Sequence, residues 1–125
     1  TKKNKFMKKL ITWVEIPAQN FDRAVQFYSA VLNINLEPLD FGTEKMACLP
    51  NDEGAISFSP GFTPSNNGVL VSLTVDNDLN ETLDRIKKSG GQIAQPKTKI
   101  EAEGRGYFAT FIDSEGNKLG LYSDS

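Results

Sequence analysis

The chain has 125 residues, a formal net charge of −2, 38% hydrophobic and 24% charged residues, which are the values of a globular domain. Its apolar runs fall short of the roughly 18 residues that span a membrane. The charged N-terminus TKKNKFMKKL also lacks the apolar stretch of a signal peptide.

The charges and the cysteine count narrow the possible functions. Five lysines lie within residues 1–9, a basic tail that we interpret as a solvated terminus. The rest of the chain is acidic, which argues against a nucleic-acid partner. Cys48 is the one cysteine and histidine is absent, so an internal disulfide, a cysteine-based zinc site and the usual catalytic triad are excluded. We expect a cytoplasmic protein with no membrane partner.

The first predicted module begins with a strand over residues 11–17 and a helix that opens at Asn20. Asparagine is a favoured N-cap, and Asn33 is a plausible stop at the other end. Apolar residues then recur at helical spacing along one stripe: Phe21, Ala24, Val25, Tyr28, Val31 and Leu32. Three strands follow over residues 34–39, 44–49 and 55–59, the last two joined by a tight turn at residues 50–54.

The second half repeats this plan after a linker-like segment, residues 61–67. A strand over residues 69–75 leads to a cap at Asn77 or Asp78 and a helix that carries Leu79, Leu83 and Ile86. Strands are then predicted over the ranges 92–96, 107–112 and 118–123, with a mobile polar loop at 97–106 and a turn at 113–117.

The two halves predict an α+β domain of duplicated βαβββ modules. We place one domain over residues 10–125, with module one at 10–60 and module two at 68–125. The expected sheet is curved, mixed and eight-stranded, with a concave cavity opposite the helices. A half of about 60 residues buries too little surface to be stable alone, so the halves join either within one chain or across a dimer.

The segments VEIPAQNFDRAVQFY and GYFATFIDSEGNKLGLY, together with the duplication, resemble the vicinal-oxygen-chelate superfamily. This superfamily includes glyoxalase I, bleomycin-resistance proteins and extradiol dioxygenases. The chain is most similar to uncharacterised glyoxalase-related proteins, with Ser114 in place of their usual turn proline. The resemblance implies a concave active face and a homodimer, because many relatives build the cavity between chains.

Enzymes of this superfamily hold a divalent metal with His, Glu or Gln from four strands. Carried across by resemblance, these ligand positions fall on four residues of this chain: Trp13, Ser57, Leu70 and Gly120. Indole, leucine and glycine offer no donor atom, and a serine hydroxyl is a poor ligand. We therefore expect no metal and no cofactor.

Alternation along the strands predicts which side chains face the cavity. These are Trp13, Glu15, Leu70, Ser72, Thr74, Gly120 and Tyr122. All of them except Thr74, together with Ser57 from the resemblance, are the seven predicted ligand-binding residues. On the strand over residues 107–112, either Phe108 and Thr110 or Ala109 and Phe111 face it. Such a pocket suits an apolar or aromatic molecule that one or two hydrogen bonds orient.

Several of these residues have two interpretations each. Trp13 is either a stacking platform for a ligand or filler for a vacated metal site. Glu15 is either a desolvated general base or an exposed carboxylate at the cavity mouth. Tyr122 is a proton donor or a packing residue, and Arg105 an anion clamp or a solvated loop residue.

Three functions remain open from the sequence. The first is binding of a small molecule in the cavity without a metal. The second is a metal-independent lyase or isomerase with Glu15 as its base. The third is a dimeric interaction module whose edge strands pair with a partner and whose cavity is filled by its own side chains.

Overall fold

The computed structural model describes residues 9–125, so residues 1–8 of the basic tail lie outside the described part. Its elements, in chain order, are β1 (Val14–Pro17), α1 (Phe21–Leu32), β2 (Pro38–Asp40), β3 (Lys45–Cys48), a 3₁₀ turn (Pro50–Asp52), β4 (Gly54–Phe58), β5 (Ser72–Thr74), α2 (Leu79–Lys88), β6 (Gln92–Lys99), β7 (Tyr107–Ile112) and β8 (Lys118–Ser123). This order is βαβββ twice, which confirms the predicted fold class.

Both helices begin where the sequence predicts, because a side chain caps each first turn. Asn20 Oδ1 accepts the Arg23 amide at 3.1 Å, and Asp78 Oδ1 accepts the Asn80 amide at 2.9 Å. Asn33 ends α1 in the left-handed conformation, with φ of 55°. Within residues 9–125, no helix is long and apolar enough to cross a membrane.

The strands form two four-stranded mixed sheets, in the orders β1-β4-β3-β2 and β5-β8-β7-β6. β1 runs parallel to β4, β5 runs parallel to β8, and the other neighbours are antiparallel. No strand pairing between described residues joins β1 to β5, so the expected single eight-stranded sheet is not formed by this chain. A cleft separates these two edge strands, and both of them line it.

Several predicted boundaries differ from the observed ones for reasons of pairing. β2 spans Pro38–Asp40 rather than residues 34–39, because its pairing with β3 begins at Pro38 opposite Ala47. β1 starts at Val14 rather than at residue 11, because its partner β4 begins with Gly54 opposite Val14. β5 is confined to Ser72–Thr74, where Gly120 and the next two residues of β8 pair with it. The predicted loop at 97–106 was wrong for residues 97–99, which continue β6 and pair with β7 as far as Lys99 opposite Tyr107.

The core lies between the helices and the sheets and is shared by the modules. Phe27 of α1 stacks on Phe111 of β7, with ring centroids 6.3 Å apart. Both rings are almost fully buried, as are Ile56 and Leu79, which come from the two different modules. Neither module therefore has a core of its own.

The turn at residues 113–117 fastens module two to module one, and we call it the docking turn. The Asp113 carboxylate is buried and accepts the Tyr28 hydroxyl of α1 at 2.6 Å. Asn117 donates from Nδ2 to the Pro17 carbonyl at 2.7 Å and to Asp113 at 2.9 Å. Burial and the neighbouring Asp113 carboxylate raise the pKa of Tyr28 well above its usual value, so the phenol stays protonated and donates.

Glu115 of the same turn contacts the start of α1. Its Oε1 accepts the backbone amides of Gln19 and Asn20 at 2.9 and 2.7 Å, and its Oε2 accepts Arg23 Nε at 2.7 Å. Ser114, which replaces the usual turn proline, donates its hydroxyl to the same carboxylate at 3.0 Å. The carboxylate thus satisfies two amides at the N-terminal end of α1.

Replacing Tyr28 with Phe removes one donor from the buried Asp113 carboxylate and leaves the ring in place. We expect a loss of about 1–3 kcal/mol in the free energy of unfolding, measured by urea denaturation. Tyr107→Phe is the matched control, because this half-buried phenol contacts lysines through its ring. Equal stabilities of Tyr28→Phe and the natural protein would contradict the assigned role of the hydrogen bond.

The ionisation of Glu115 leads to a second prediction, which concerns how stability depends on pH. Desolvation pushes its pKa up, but the hydrogen bonds from Arg23, Asn20 and Ser114 outweigh this and lower the pKa below 4.5. The ionised form therefore stabilises the fold above the unfolded-state pKa near 4.5, and this stabilisation is lost as the pH falls through the lower folded-state pKa.

Glu115→Gln should be less stable than the natural protein at pH 7, and the difference should shrink between about pH 4.5 and pH 2. Thermal unfolding followed across this range measures both effects. Glu103→Gln, at an exposed loop position, is the control. A stability difference that stays constant from pH 7 to pH 2 would refute the assignment.

Candidate functional site

The face of each sheet that points away from its helix is called here the open face. In module one, Ile16, Ala47 and Ile56 point toward the core. The strand registers therefore place one cross-strand row of Glu15, Ala55 and Cys48 on the open face, and a second row of Pro17, Ser57, Met46 and Leu39.

In module two, the register settles the alternative that the sequence left open. Ala109 and Phe111 are fully buried beneath the helices, so Phe108 and Thr110 lie on the open face. Cross-strand pairing gives two rows there: Ser72, Gly120, Thr110 and Gln95, then Thr74, Tyr122, Phe108 and Thr98. The irregularities in register lie between β6 and β7, and the hairpin β7–β8 is regular.

The seven predicted site residues are divided between the two open faces. Trp13, Glu15 and Ser57 belong to module one, and Leu70, Ser72, Gly120 and Tyr122 belong to module two. Trp13 is 37% exposed and Leu70 is 52% exposed, both at the residues that lead into edge strands. Glu15 and Ser72 are exposed as well. The structure therefore presents these side chains on an uncovered surface.

Ser57 differs from the others because it is only 3% exposed. Its hydroxyl is buried without a hydrogen-bond partner among the described residues. Most buried hydroxyl groups are hydrogen-bonded, so this is an unmet polar group on the open face.

The space beside Gly120 is filled by a neighbouring side chain. A Cβ atom added to Gly120 would lie 2.4 Å from Ser72 Oγ, closer than any van der Waals contact. Ser72 is the direct cross-strand neighbour of Gly120. The serine side chain thus occupies the room that a larger residue at position 120 would need.

The hydroxyl of Tyr122 is already engaged in a structural contact. It accepts the Gly106 amide at 3.1 Å and donates to Asp124 at 2.9 Å. These bonds tie the loop before β7 to the C-terminal strand. They favour the packing interpretation of Tyr122 over that of a proton donor.

Glu15 fits the interpretation as an exposed carboxylate, and Arg105 fits that of a solvated loop residue. The Glu15 side chain is exposed on β1, so the chain itself does not supply the desolvation that a general base would need. Arg105 is an exposed residue of the loop between β6 and β7.

The four positions that the resemblance assigns to metal ligands carry no strong donor in this fold. The side chains at Trp13 and Leu70 and the bare Gly120 offer no metal-donor atom, and the Ser57 hydroxyl is a poor metal ligand. Among residues 9–125, no three His, Cys, Asp or Glu side chains come close enough together to hold a metal ion.

A large cavity lies elsewhere, in the cleft between the modules. Its volume is about 960 Å³, and it opens between β1, β5 and the C-terminal end of α1. Of the seven predicted residues, only Ser72 lines it. The sequence could not reveal this cleft, because its shape depends on how the two modules pack.

With this geometry in place, comparison with known proteins identifies the family. The profile of the Glyoxalase/Bleomycin resistance protein/Dioxygenase superfamily matches residues 10–121. The chain therefore belongs to this superfamily, as the terminal motifs and the duplication indicated. No functionally curated protein matches at a significant level.

Solved structures share the fold at low sequence identity. A glyoxalase/bleomycin resistance protein from Albidiferax ferrireducens T118 is 17% identical, with a TM-score of 0.64 over 92% of this chain and 98% of that one. The fosfomycin resistance protein FosX from Listeria monocytogenes is 16% identical, with a TM-score of 0.69 over 95% and 96%. Wild-type maize glyoxalase I is 15% identical with a TM-score of 0.64, and this chain covers 45% of its length. These likenesses concern the fold alone.

The contact between Gly120 and Ser72 gives a direct test of the open face. Gly120→Ala should lower the free energy of unfolding by about 1–3 kcal/mol, because the new methyl group overpacks the serine hydroxyl. The same change in a Ser72→Ala background should cost less, since the nearest remaining side-chain atom would be the Cβ atom at 3.3 Å.

Urea denaturation of the two single variants and the double variant measures this coupling. Additive losses would mean that Ser72 does not occupy the space beside Gly120.

Proposed function

We propose that this protein binds a small, largely apolar molecule on its open face, without a metal, and that a second copy of the chain covers that face. The observation that carries the proposal is the exposure of large apolar side chains on or beside the open face. Leu39 is 44% exposed, Trp13 37% and Leu70 52%. Large apolar side chains that stay exposed in this way are typical of ligand grooves and of protein interfaces when they form one contiguous surface, which a bound ligand and a second chain would complete here.

The chemistry of the face supports an apolar ligand. Trp13 offers an indole, and Phe108 and Tyr122 form an aromatic cross-strand pair. The exposed Ser72 and Thr74 offer hydroxyl groups. Flat apolar molecules bind such surfaces through ring contacts, with one or two hydrogen bonds that fix their orientation.

The fold family is consistent with this function. FosX is named for resistance to fosfomycin, and the Albidiferax protein for the bleomycin resistance family. Both names refer to resistance to an antibiotic. We extend to this chain only the capacity to bind a small molecule.

The two alternatives from the sequence are less well supported. A general base at Glu15 would need a desolvated carboxylate, whereas the Glu15 side chain is exposed. An interaction module would fill its cavity with its own side chains, as Ser72 does beside Gly120. Trp13, however, is not enclosed by the chain, as a filler residue would be.

Binding is tested with N-phenyl-1-naphthylamine, a neutral aromatic probe that accepts fluorescence energy from tryptophan. Trp13 is the single tryptophan of the chain, so excitation of Trp13 should produce probe emission. Leu70→Ser should weaken probe binding by about fivefold or more, since it removes an apolar contact. Lys87 is an exposed residue of α2, so Lys87→Ser should leave the probe affinity unchanged. Absence of binding, or equal affinities in both variants, would overturn the ligand proposal.

Dimer formation is tested separately by sedimentation equilibrium. The natural protein should be dimeric at micromolar concentration. Trp13→Ser and Leu70→Ser should raise the dimer dissociation constant about tenfold or more by removing buried apolar contacts, whereas Lys87→Ser should not. A monomeric natural protein would contradict the second-copy part of the proposal.

A further inference from the structure

The cleft between the modules has the composition of a binding site for an amphipathic molecule. Its walls carry side chains from the edge of the core that are only partly buried: Val14, Leu32, Ile34, Leu49, Leu73 and Val75. These residues come from both modules. The volume of about 960 Å³ is at the upper end of the range of small-molecule pockets.

Arg85 of α2 brings a positive charge to this apolar wall. Its Nε donates to the Val31 carbonyl at 2.9 Å, and its Nη2 donates to the Thr82 hydroxyl at 3.1 Å. Thr82 is fully buried, and Val31 lies in the last turn of α1. The guanidinium is therefore held in place by two elements of the fold.

This guanidinium has donors to spare. It carries five N–H groups, of which two have partners within the described residues. No carboxylate of residues 9–125 forms an ion pair with it. A half-buried and preorganised guanidinium without a counter-ion is suited to a carboxylate group, which it can bind through two parallel hydrogen bonds.

The rim of the cleft limits the charge of such a ligand. Asp52, Glu53 and Asp76 line the cleft together with the single lysine Lys9. These carboxylates repel a second negative charge on the ligand. A ligand with one carboxylate and an otherwise apolar body satisfies both Arg85 and the rim.

We propose that the cleft is a second ligand site, which binds an amphipathic monocarboxylate with its carboxylate on Arg85 and its apolar body against the walls contributed by both modules. This site differs from the open face in its main contacts, because Trp13 and Leu70 do not line the cleft, and only Ser72 and Thr74 of the open-face rows do.

Isothermal titration calorimetry with three eight-carbon probes tests the proposal. Octanoate should bind one molecule per chain. 1-Octanol lacks the charge that Arg85 binds, and octanedioate brings a second charge to the acidic rim, so each should bind about tenfold more weakly. Arg85→Gln should lower octanoate affinity about tenfold and leave 1-octanol affinity unchanged, a difference that a merely structural role of Arg85 would not produce. Arg105→Gln, at an exposed loop residue that does not line the cleft, is the matched control.

A second variant covers the case in which Arg85→Gln does not fold. Asp76→Lys changes an exposed rim residue and should raise the affinity for octanedioate at least fivefold, because a repulsion becomes an attraction. The proposal is overturned if octanoate and 1-octanol bind equally, if octanoate does not bind, or if Asp76→Lys leaves octanedioate affinity unchanged. Octanoate should not displace N-phenyl-1-naphthylamine from the open face, so the two sites succeed or fail independently.

Discussion

The structure depends on one polar contact between its two halves, the docking of residues 113–117 against β1 and α1. In the interior, the Asp113 carboxylate accepts a hydrogen bond from the Tyr28 hydroxyl, and the Asn117 side chain donates one to the Pro17 carbonyl. Burying a polar group without a hydrogen-bond partner costs free energy, and here the buried polar groups form hydrogen bonds with one another. The contact therefore fixes how the modules lie on each other, and with it the shared core and the cleft.

This arrangement explains why the sheet faces outside the core expose apolar side chains. The helices of both modules pack in the common core, where Phe27 of one module packs on Phe111 of the other. The opposite faces of the sheets have no helix to cover them. Their exposed apolar residues and the edge strands of the described residues, β1, β2, β5 and β6, are the surfaces that remain available for contact.

The sequence predicts the modules better than their assembly. Periodicity and the caps at Asn20 and Asp78 locate both helices, because these signals are local. The motif IDSEGN marks the turn at 113–117, but its role as the docking contact requires partners about 90 residues earlier in the chain. The contact of Ser72 with Gly120 and the cleft beside Arg85 likewise arise from packing between distant segments, which no local pattern encodes.

The two proposed sites differ in chemistry: one is an apolar open face without strong metal donors, and the other is a cleft whose Arg85 guanidinium has no ion-pair partner among residues 9–125. We propose above all that the open face is a metal-free binding surface shared by two chains. Native mass spectrometry of the freshly purified protein is the decisive measurement, since one spectrum reports stoichiometry, metal content and any bound small molecule. We expect a dimer mass with no transition metal, bare or with an added organic mass. A monomer, or a stoichiometric transition-metal adduct that survives desalting, would contradict this proposal.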